Sequence, residues 1–239
     1  MQLTGPEIKC VMEIKNPNNP NGSPNIVIEP FDESCLGSNS YDLHLDNKLK
    51  VYKDVLFPGM KPAVEYDEEK HHDGVIMQAE YFESKKAYKR FLSQVKSFEN
   101  PMRILNPFKK CKETVDIVIP ESGLILLPRI GYLGSTVEWT ETYNLFPYID
   151  GKSSIGRNFI FVHHTAGRGD DGFCGTWTLE ISVMYPTLVK PNMRIAQIYY
   201  EEFVGERKPY NENPMSHYRD QCGATKAAAL PIDNLTKSR

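Results

Sequence analysis

Residues 176–183 have the sequence Thr-Trp-Thr-Leu-Glu-Ile-Ser-Val, in which polar and apolar side chains alternate without a break. Such alternation predicts a β-strand with one face in the core and the other face towards a pocket or solvent. Trp177, Leu179 and Ile181 fall on the apolar face, and Glu180 falls on the polar face. The pattern therefore predicts a carboxylate held by a rigid strand. If the polar face lines a pocket, Glu180 is well placed to transfer protons. If that face is open to solvent, Glu180 is an ordinary surface carboxylate.

Short strands recur around this segment, so the sequence predicts a mainly β fold. Between residues 115 and 203, apolar runs are broken by Pro and Gly at spacings typical of an all-β sandwich or barrel-like core. We expect one domain over residues 1–203, with an inserted helical segment at about 66–114 whose helix spans residues 80–98. Residues 204–239 have no sustained apolar period and are expected to form a C-terminal tail.

The composition excludes several classes of function. The 239 residues are 40% hydrophobic and 25% charged, and the net charge of −3 does not fit a general nucleic-acid binder. No run of about 18 apolar residues is present to span a membrane, and residues 1–10 do not resemble a secretory signal, so we expect a cytoplasmic protein. The five cysteines include no Cys-x-x-Cys pair, which argues against disulfides and a cysteine zinc site.

Two histidine pairs, at residues 71–72 and 163–164, look at first like metal ligands. Adjacent residues on a strand point to opposite faces, so neither pair can easily share one ion. The H-x-E and P-C-x-x-C signature of zinc deaminases is also absent from the sequence. We therefore predict no bound zinc.

Residues 151–157 combine two cations, two hydroxyl groups and two glycines, a composition that fits either an anion site or a surface turn. The spacing is not that of a P-loop, because Phe146 stands where the first glycine is required. A second turn, at residues 165–173, is dense in Gly and Asp and could present Asp170 to a sugar hydroxyl. Most turns of this composition, however, are only turns.

Taken in chain order, a series of segments resembles the dCTP deaminase family. These segments are residues 3–8, 28–32, 42–45, 150–157, 163–167, 170–173, 178–180, 191–197, 208–211 and 218–224. They cover most of the chain, so they carry more weight than any single short motif. The resemblance implies a distorted β-barrel or jelly-roll of the dUTPase-like type, assembled as a homotrimer with active sites shared between subunits. It also implies that the C-terminal tail closes over bound nucleotide.

The resemblance assigns a role to each matching residue. Glu180 would be the catalytic acid/base in a zinc-independent attack of water on C4 of cytosine, and Ser153 and Arg157 would orient that water and Glu180. Asp170 would hold the deoxyribose. The substrate-binding residues would be Lys152, Ser153, Ser154, Ile155, Gly156, Arg157, Asp170, Thr178, Leu179, Gln197, Tyr210, His217 and Gln221. The substrate dCTP would arrive with Mg²⁺ on its triphosphate, and dTTP would be a candidate feedback inhibitor.

The main prediction is deamination of dCTP to dUTP and ammonia, and two alternatives stay open. Gly167 and Gln197 resemble the bifunctional subgroup, which carries dCTP through to dUMP and pyrophosphate. A non-catalytic nucleotide-binding trimer is the second alternative, because the sequence departs from the family at several places. His217 stands where the family usually has lysine, Gly169 stands where it usually has an apolar residue, and the segment at about 66–115 is longer than usual.

Overall fold

Antiparallel strands make up most of the structure, a computed structural model that describes residues 1–96, 105, 107–108, 113–214 and 216–229. The strands within these residues are β1 Ile26–Glu29, β2 Tyr41–His44, β3 Lys48–Tyr52, β4 Ala63–Glu65, β5 Thr114–Val118, β6 Leu124–Leu126, β7 Tyr132–Ser135, β8 Trp139–Thr142, β9 Phe146–Gly151, β10 Ile160–Phe161, β11 Cys174–Gly175, β12 Thr178–Val183, β13 Thr187–Val189 and β14 Arg194–Glu201. The α-helices are α1 Gly5–Glu13, α2 Glu68–His71, α3 Lys85–Lys96 and α4 Ser153–Gly156. Short 3₁₀ turns occupy Pro20–Gly22, Glu33–Cys35, Lys53–Val55, Gln78–Tyr81 and Tyr210–Glu212. The prediction of a mainly β fold with few helices is confirmed.

The strands of the described residues form four small sheets, and the largest of them carries Glu180. Its order is β10-β12-β7-β3-β5, and the other sheets have the orders β1-β8-β11, β13-β6-β4 and β2-β14-β9. The apolar faces of these sheets meet in one core of mostly aliphatic side chains. A homotrimer remains a prediction, since one chain is described.

The alternating segment at residues 176–183 forms the predicted strand. Leu179 and Ile181 are fully buried, whereas Glu180 on the opposite face is only partly buried. The strand begins at Thr178 because the two preceding residues hydrogen-bond elsewhere. For example, the Trp177 amide donates to the Thr136 hydroxyl at 2.9 Å.

The first helix starts where its cap residue predicts. A threonine followed three residues later by glutamate, with proline in the first turn, indicates a helix N-terminus. In the structure the Thr4 hydroxyl accepts a hydrogen bond from the Glu7 amide, and the apolar face of α1 buries Ile8 completely.

The helix predicted at residues 80–98 begins later than predicted. Residues 80–98 were expected to form it, but α3 begins at Lys85, and residues 97–98 lie outside the described part of the chain. Phe82 interrupts the helix because it adopts an extended backbone and packs its ring 5.0 Å from that of Phe91 on α3. Among the described residues, no helix is long and apolar enough to cross a membrane.

Candidate active site

A cavity of about 640 Å³ opens on the polar face of β12. Its walls come from three parts of the chain: the strand itself, the loop that leads to it, and the C-terminal tail. The lining residues are Tyr52, Leu133, His163, Ala166, Arg168, Gly169, Asp170, Phe173, Trp177, Thr178, Glu180, Lys208, Tyr210, Asn213, Ser216, His217, Tyr218, Gln221, Thr225 and Ala227. Two carboxylates and two permanent cations therefore share one concave surface. Such a combination suits a polar, anionic ligand.

Glu180 is held on the cavity wall by the regularity of its strand. Its neighbours on β12 anchor the backbone in the core, and Glu180 pairs in register with Leu133 of β7. The carboxylate is 40% exposed and faces the cavity, so a ligand can reach it. A carboxylate fixed in this way is a plausible general acid/base by geometry.

His163 is the direct partner of Glu180. Its Nδ1 lies 2.9 Å from Glu180 Oε2, and the imidazole is 7% exposed. Within the described part of the chain, its buried Nε2 has no hydrogen-bond partner. A buried polar nitrogen without a partner is costly, so the imidazole is held in place by its bond to Glu180 at some cost in stability.

Sequence reasoning considered His163 only as a metal ligand and did not assign it this position. The missing information is the register of β10 against β12, in which Ile160 faces Val183 and Phe161 faces Ser182. Continuing that register by two residues brings residue 163 opposite residue 180. Recognition of a β-hairpin between the two segments would have found the pair. No group of three or more His, Cys, Asp and Glu side chains that could hold a metal ion occurs among the residues that the structure describes.

Asp170 lies on the loop that borders the cavity. Desolvation by the surrounding protein raises the pKa of its carboxyl above the ordinary value, and the positive charge of Arg168 opposes that rise. Arg168 and Lys208 supply the cationic part of the wall. Neither cation was among the predicted binding residues, because neither belongs to the compact group at residues 151–157.

The C-terminal tail forms the remaining wall and contributes three of the predicted binding residues. Tyr210, His217 and Gln221 all line the cavity. Gln221 is tied to the body of the protein, because its side-chain amide donates to the Thr176 carbonyl at 2.6 Å and its own carbonyl accepts from the Thr176 amide at 3.0 Å. The Thr178 hydroxyl accepts a hydrogen bond from the Thr225 amide at 3.0 Å.

Other predicted residues are not brought to this cavity within one chain. None of residues 152–157 lines the cavity of its own chain, so the predicted position of Ser153 and Arg157 beside Glu180, in a site shared between subunits, stays a prediction. In the structure, Ser153, Ser154 and Gly156 of α4 and the following Arg157 are exposed to solvent. Lys152, which precedes α4, forms an ion pair with Asp42.

The side chains of three other predicted binding residues point away from the cavity within this chain. Leu179 is fully buried on the core face of β12, so only its backbone can lie along a bound base. Ile155 is likewise a core residue. Gln197 lies on β14, in a different sheet, and its side-chain carbonyl accepts a hydrogen bond from the Ser40 hydroxyl at 3.4 Å.

A second cleft of about 690 Å³ lies between the inserted segment and residues 185–188. It shares no lining residue with the cavity around Glu180. Its wall contains His71, His72 and Tyr185 but no carboxylate and no Lys or Arg. Size alone therefore does not identify the site, whereas the chemistry of the lining residues favours the cavity around Glu180.

Comparison with known proteins identifies the family of this chain. Residues 13–203 match the family model described as dCTP deaminase-like. A relative from Cytophaga hutchinsonii is 36% identical over 192 residues, which are 80% of this chain and 83% of that protein. A relative from Leptospira biflexa is 38% identical over 185 residues, which are 77% and 78% of the two chains. Both relatives carry the name "dCTP deaminase, dUMP-forming".

One solved structure is also similar to this chain. It is the 2'-deoxycytidine 5'-triphosphate deaminase from Agrobacterium tumefaciens, with a TM-score of 0.48 and 18% sequence identity. The similarity covers 84% of this chain and 48% of the other, so this chain spans about half the length of that protein.

These findings correct one prediction and confirm another. The expectation that dUTP is the final product is wrong, because the relatives are named as dUMP-forming enzymes. The expectation of an enzyme of the dCTP deaminase type is confirmed by the family model and by the relatives. The chain belongs to the dCTP deaminase family.

Proposed function

We propose that this enzyme converts dCTP and two molecules of water to dUMP, ammonia and pyrophosphate. The observation that carries the proposal is the cavity around Glu180. The Glu180 carboxylate, which is hydrogen-bonded to the buried His163, shares one surface with Asp170 and with two cations. The relatives named as dUMP-forming support the second step of the reaction. The predicted cytoplasmic location is consistent with this activity and stays a prediction.

In the first step, Glu180 removes a proton from the water that attacks C4 of the cytosine ring. Glu180 passes this proton to N3 as the water oxygen bonds to C4. It then takes the proton of the new C4 hydroxyl and delivers it to the amino group, so that the C4–N4 bond breaks, ammonia leaves and a C4 carbonyl remains. His163 holds the Glu180 carboxylate in position at 2.9 Å. General acid–base help of this kind contributes about 10²–10⁴ in rate, and positioning the water against the ring adds about 7–11 kcal/mol.

In the second step, Asp170 positions another water at the α-phosphorus. The water oxygen bonds to the α-phosphorus and its proton passes to Asp170, while the bond from the α-phosphorus to the bridging oxygen breaks and pyrophosphate leaves with that oxygen. Mg²⁺ bound to the substrate triphosphate would spread the negative charge of the leaving pyrophosphate. Arg168 and Lys208 line the cavity and meet the remaining negative charge.

We further propose that the phosphate-binding group at residues 152–157 reaches this cavity from a neighbouring subunit of a homotrimer. Within one chain these residues do not line the cavity, yet Ser153 and Arg157 are exposed and free to meet another chain. Shared sites give a sharp test by mixing inactive variants. A Glu180→Gln preparation and an Arg157→Gln preparation should each be inactive, and mixed trimers of the two should regain part of the wild-type activity. Mixed trimers without activity would contradict the shared site.

Product analysis tests the reaction itself. With purified protein, Mg²⁺ and dCTP, chromatography should detect dUMP and pyrophosphate, with one ammonia released for each dUMP. Glu180→Gln should lower dCTP turnover by at least about 10²-fold while dCTP still binds. Glu65→Gln, an exposed glutamate at the end of β4, is the matched control and should behave as wild type. Accumulation of dUTP without dUMP, or substantial deamination by Glu180→Gln, would refute the proposal. We also expect dTTP, which shares the deoxyribose and triphosphate of the substrate, to compete for the same cavity.

A further inference from the structure

Asp171, next to Asp170 in the sequence, is a buried carboxylate that does not line the cavity. Its side chain is 5% exposed and accepts three hydrogen bonds. Arg207 donates two of them, from Nε to Oδ2 at 2.8 Å and from Nη2 to Oδ1 at 3.0 Å. The backbone amide of Asn144 donates the third, at 2.8 Å to Oδ1. The carboxylate is therefore fully used by the protein and is not available to a ligand.

The two bonds from Arg207 join the C-terminal tail to the body of the protein. A guanidinium that meets a carboxylate through two parallel bonds is among the strongest and most directional ion pairs. The Arg207 side chain is 39% exposed, so the ion pair lies at the protein surface, with the Asp171 carboxylate buried and the Arg207 guanidinium partly open to solvent. Solvent weakens such a pair relative to a fully buried one.

The contact continues along the backbone to Tyr210. The Tyr210 amide donates to the carbonyl of Asp171 at 2.6 Å. Gly172 permits this approach, because a Cβ at that position would lie 2.6 Å from Asn211 Oδ1 and 3.1 Å from Pro209 Cβ. The tail therefore lies directly on the loop that carries Asp170 and Asp171.

Tyr210 links this contact to the cavity. Its ring packs 6.1 Å from Phe173, and both rings line the cavity. Its hydroxyl accepts a hydrogen bond from the Tyr218 amide at 2.9 Å, and its carbonyl accepts one from the Ser216 hydroxyl at 2.7 Å. The position of Tyr210 thus sets the position of the tail residues that follow it.

We infer that the Asp171–Arg207 ion pair is a latch that holds the tail closed and positions Tyr210 over the bound nucleotide. The inference rests on the proposed function for the identity of the nucleotide and goes beyond it by naming the residues that close the site. Arg207 and Asp171 are positioning residues, because neither lines the cavity. Loss of the latch should therefore weaken substrate binding and leave the chemical step largely intact.

Arg207→Gln tests the latch, with Arg90→Gln as the matched control on the exposed face of α3. Arg207→Gln should raise the KM for dCTP about tenfold, which is the effect expected of a charged hydrogen-bonded pair open to solvent on one side, and should change kcat less than threefold. Arg207→Lys should recover only part of the affinity, because lysine cannot form the two-bond fork. Arg90→Gln should match wild type.

Hydrogen exchange measured by mass spectrometry tests the latch without nucleotide. Arg207→Gln should speed exchange in residues 205–214, which include the Tyr210 amide, and leave residues 178–183 protected as in wild type. Asp171→Asn keeps an oxygen for the Asn144 amide but removes the charge, and it should loosen the same segment. If the two residues act as one pair, the double variant should show no faster exchange in the tail and no higher KM than the more impaired of the two single variants.

Three results would overturn the latch. One is an Arg207→Gln variant whose exchange rate in the tail and whose KM for dCTP lie within twofold of those of the Arg90→Gln control. Another is equally faster exchange in residues 178–183, which would indicate general loss of structure. The third is additive effects of Arg207→Gln and Asp171→Asn. If the wild-type protein does not turn over dCTP, the proposed function fails, and the exchange measurement still decides whether the latch exists.

Discussion

Replacing Gly169 by alanine is expected to destabilise the cavity wall through steric clashes, mainly with Trp177. A Cβ at this position would lie 2.2 Å from Cη2 of Trp177 and 2.9 Å from Cγ of Pro147. Ordinary contact begins at about 3.4 Å, so the indole or the loop would have to move by about 1.2 Å. The indole ring of Trp177 therefore occupies the space that a side chain at position 169 would need.

Trp177 cannot move without losing hydrogen bonds. Its indole Nε1 donates to the Thr140 hydroxyl at 2.8 Å, and its backbone bonds in both directions to Thr136, at 2.9 and 3.0 Å. Overpacking a core costs about 1–3 kcal/mol, and loss of the indole hydrogen bond adds about 1 kcal/mol. We therefore expect Gly169→Ala to lower the free energy of unfolding by about 2–4 kcal/mol. For a chain of this length, that change lowers Tm by about 4–16 °C.

A double-mutant cycle separates the clash with Trp177 from other causes, including the contact with Pro147. Trp177→Phe removes the ring atoms that the new Cβ would meet, so Gly169→Ala should cost much less in that background, with a coupling of about 1–3 kcal/mol. Gly131→Ala is the control, because a Cβ at Gly131 meets no atom within 4 Å and should change stability by less than about 0.5 kcal/mol. Thermal or urea unfolding followed by circular dichroism measures all four variants. Equal Tm values for Gly169→Ala and Gly131→Ala, or no relief by Trp177→Phe, would refute this reasoning.

Three further predictions concern the chemistry of the cavity. His163→Phe should lower kcat at least about tenfold with a smaller change in KM, because Glu180 loses the partner that orients it, and steady-state kinetics with dCTP checks this. The raised pKa of Asp170 means that the folded chain holds this proton more tightly than the unfolded chain. Ionised Asp170 therefore opposes folding at neutral pH, and the penalty is relieved as the pH falls through the folded pKa. Accordingly, Asp170→Asn should have a Tm at pH 7 no lower than wild type and yet lose dUMP formation, and a clearly lower Tm would count against the assigned pKa direction. A zinc-selective chelator should leave activity unchanged, whereas EDTA should abolish it until Mg²⁺ is restored; inhibition reversed only by zinc would contradict the proposed chemistry.

Much of the fold could be predicted from local sequence patterns. Alternation with a period of two identified the strand that carries Glu180, and a cap residue followed by proline and glutamate identified α1. These features depend on residues that are neighbours in the chain, so they are visible without knowledge of the tertiary structure. The start of α3 was not visible in this way, because the aromatic contact of Phe82 with Phe91 competes with the helical period.

The sequence by itself determined the mainly β fold class, the polar face of β12 and the membership of the family. Each of these is encoded in the order and type of neighbouring residues. Only the tertiary structure decided which side chains meet. It placed His163 against Glu180, joined Asp171 to Arg207, turned Leu179 into the core and kept residues 152–157 away from the cavity of their own chain. Contacts of this kind depend on strand register and on the paths of loops, and a shift of one residue exchanges the two faces of a strand. For that reason a periodic pattern can predict that a residue lies on a polar face, but only the packed structure can say what it faces.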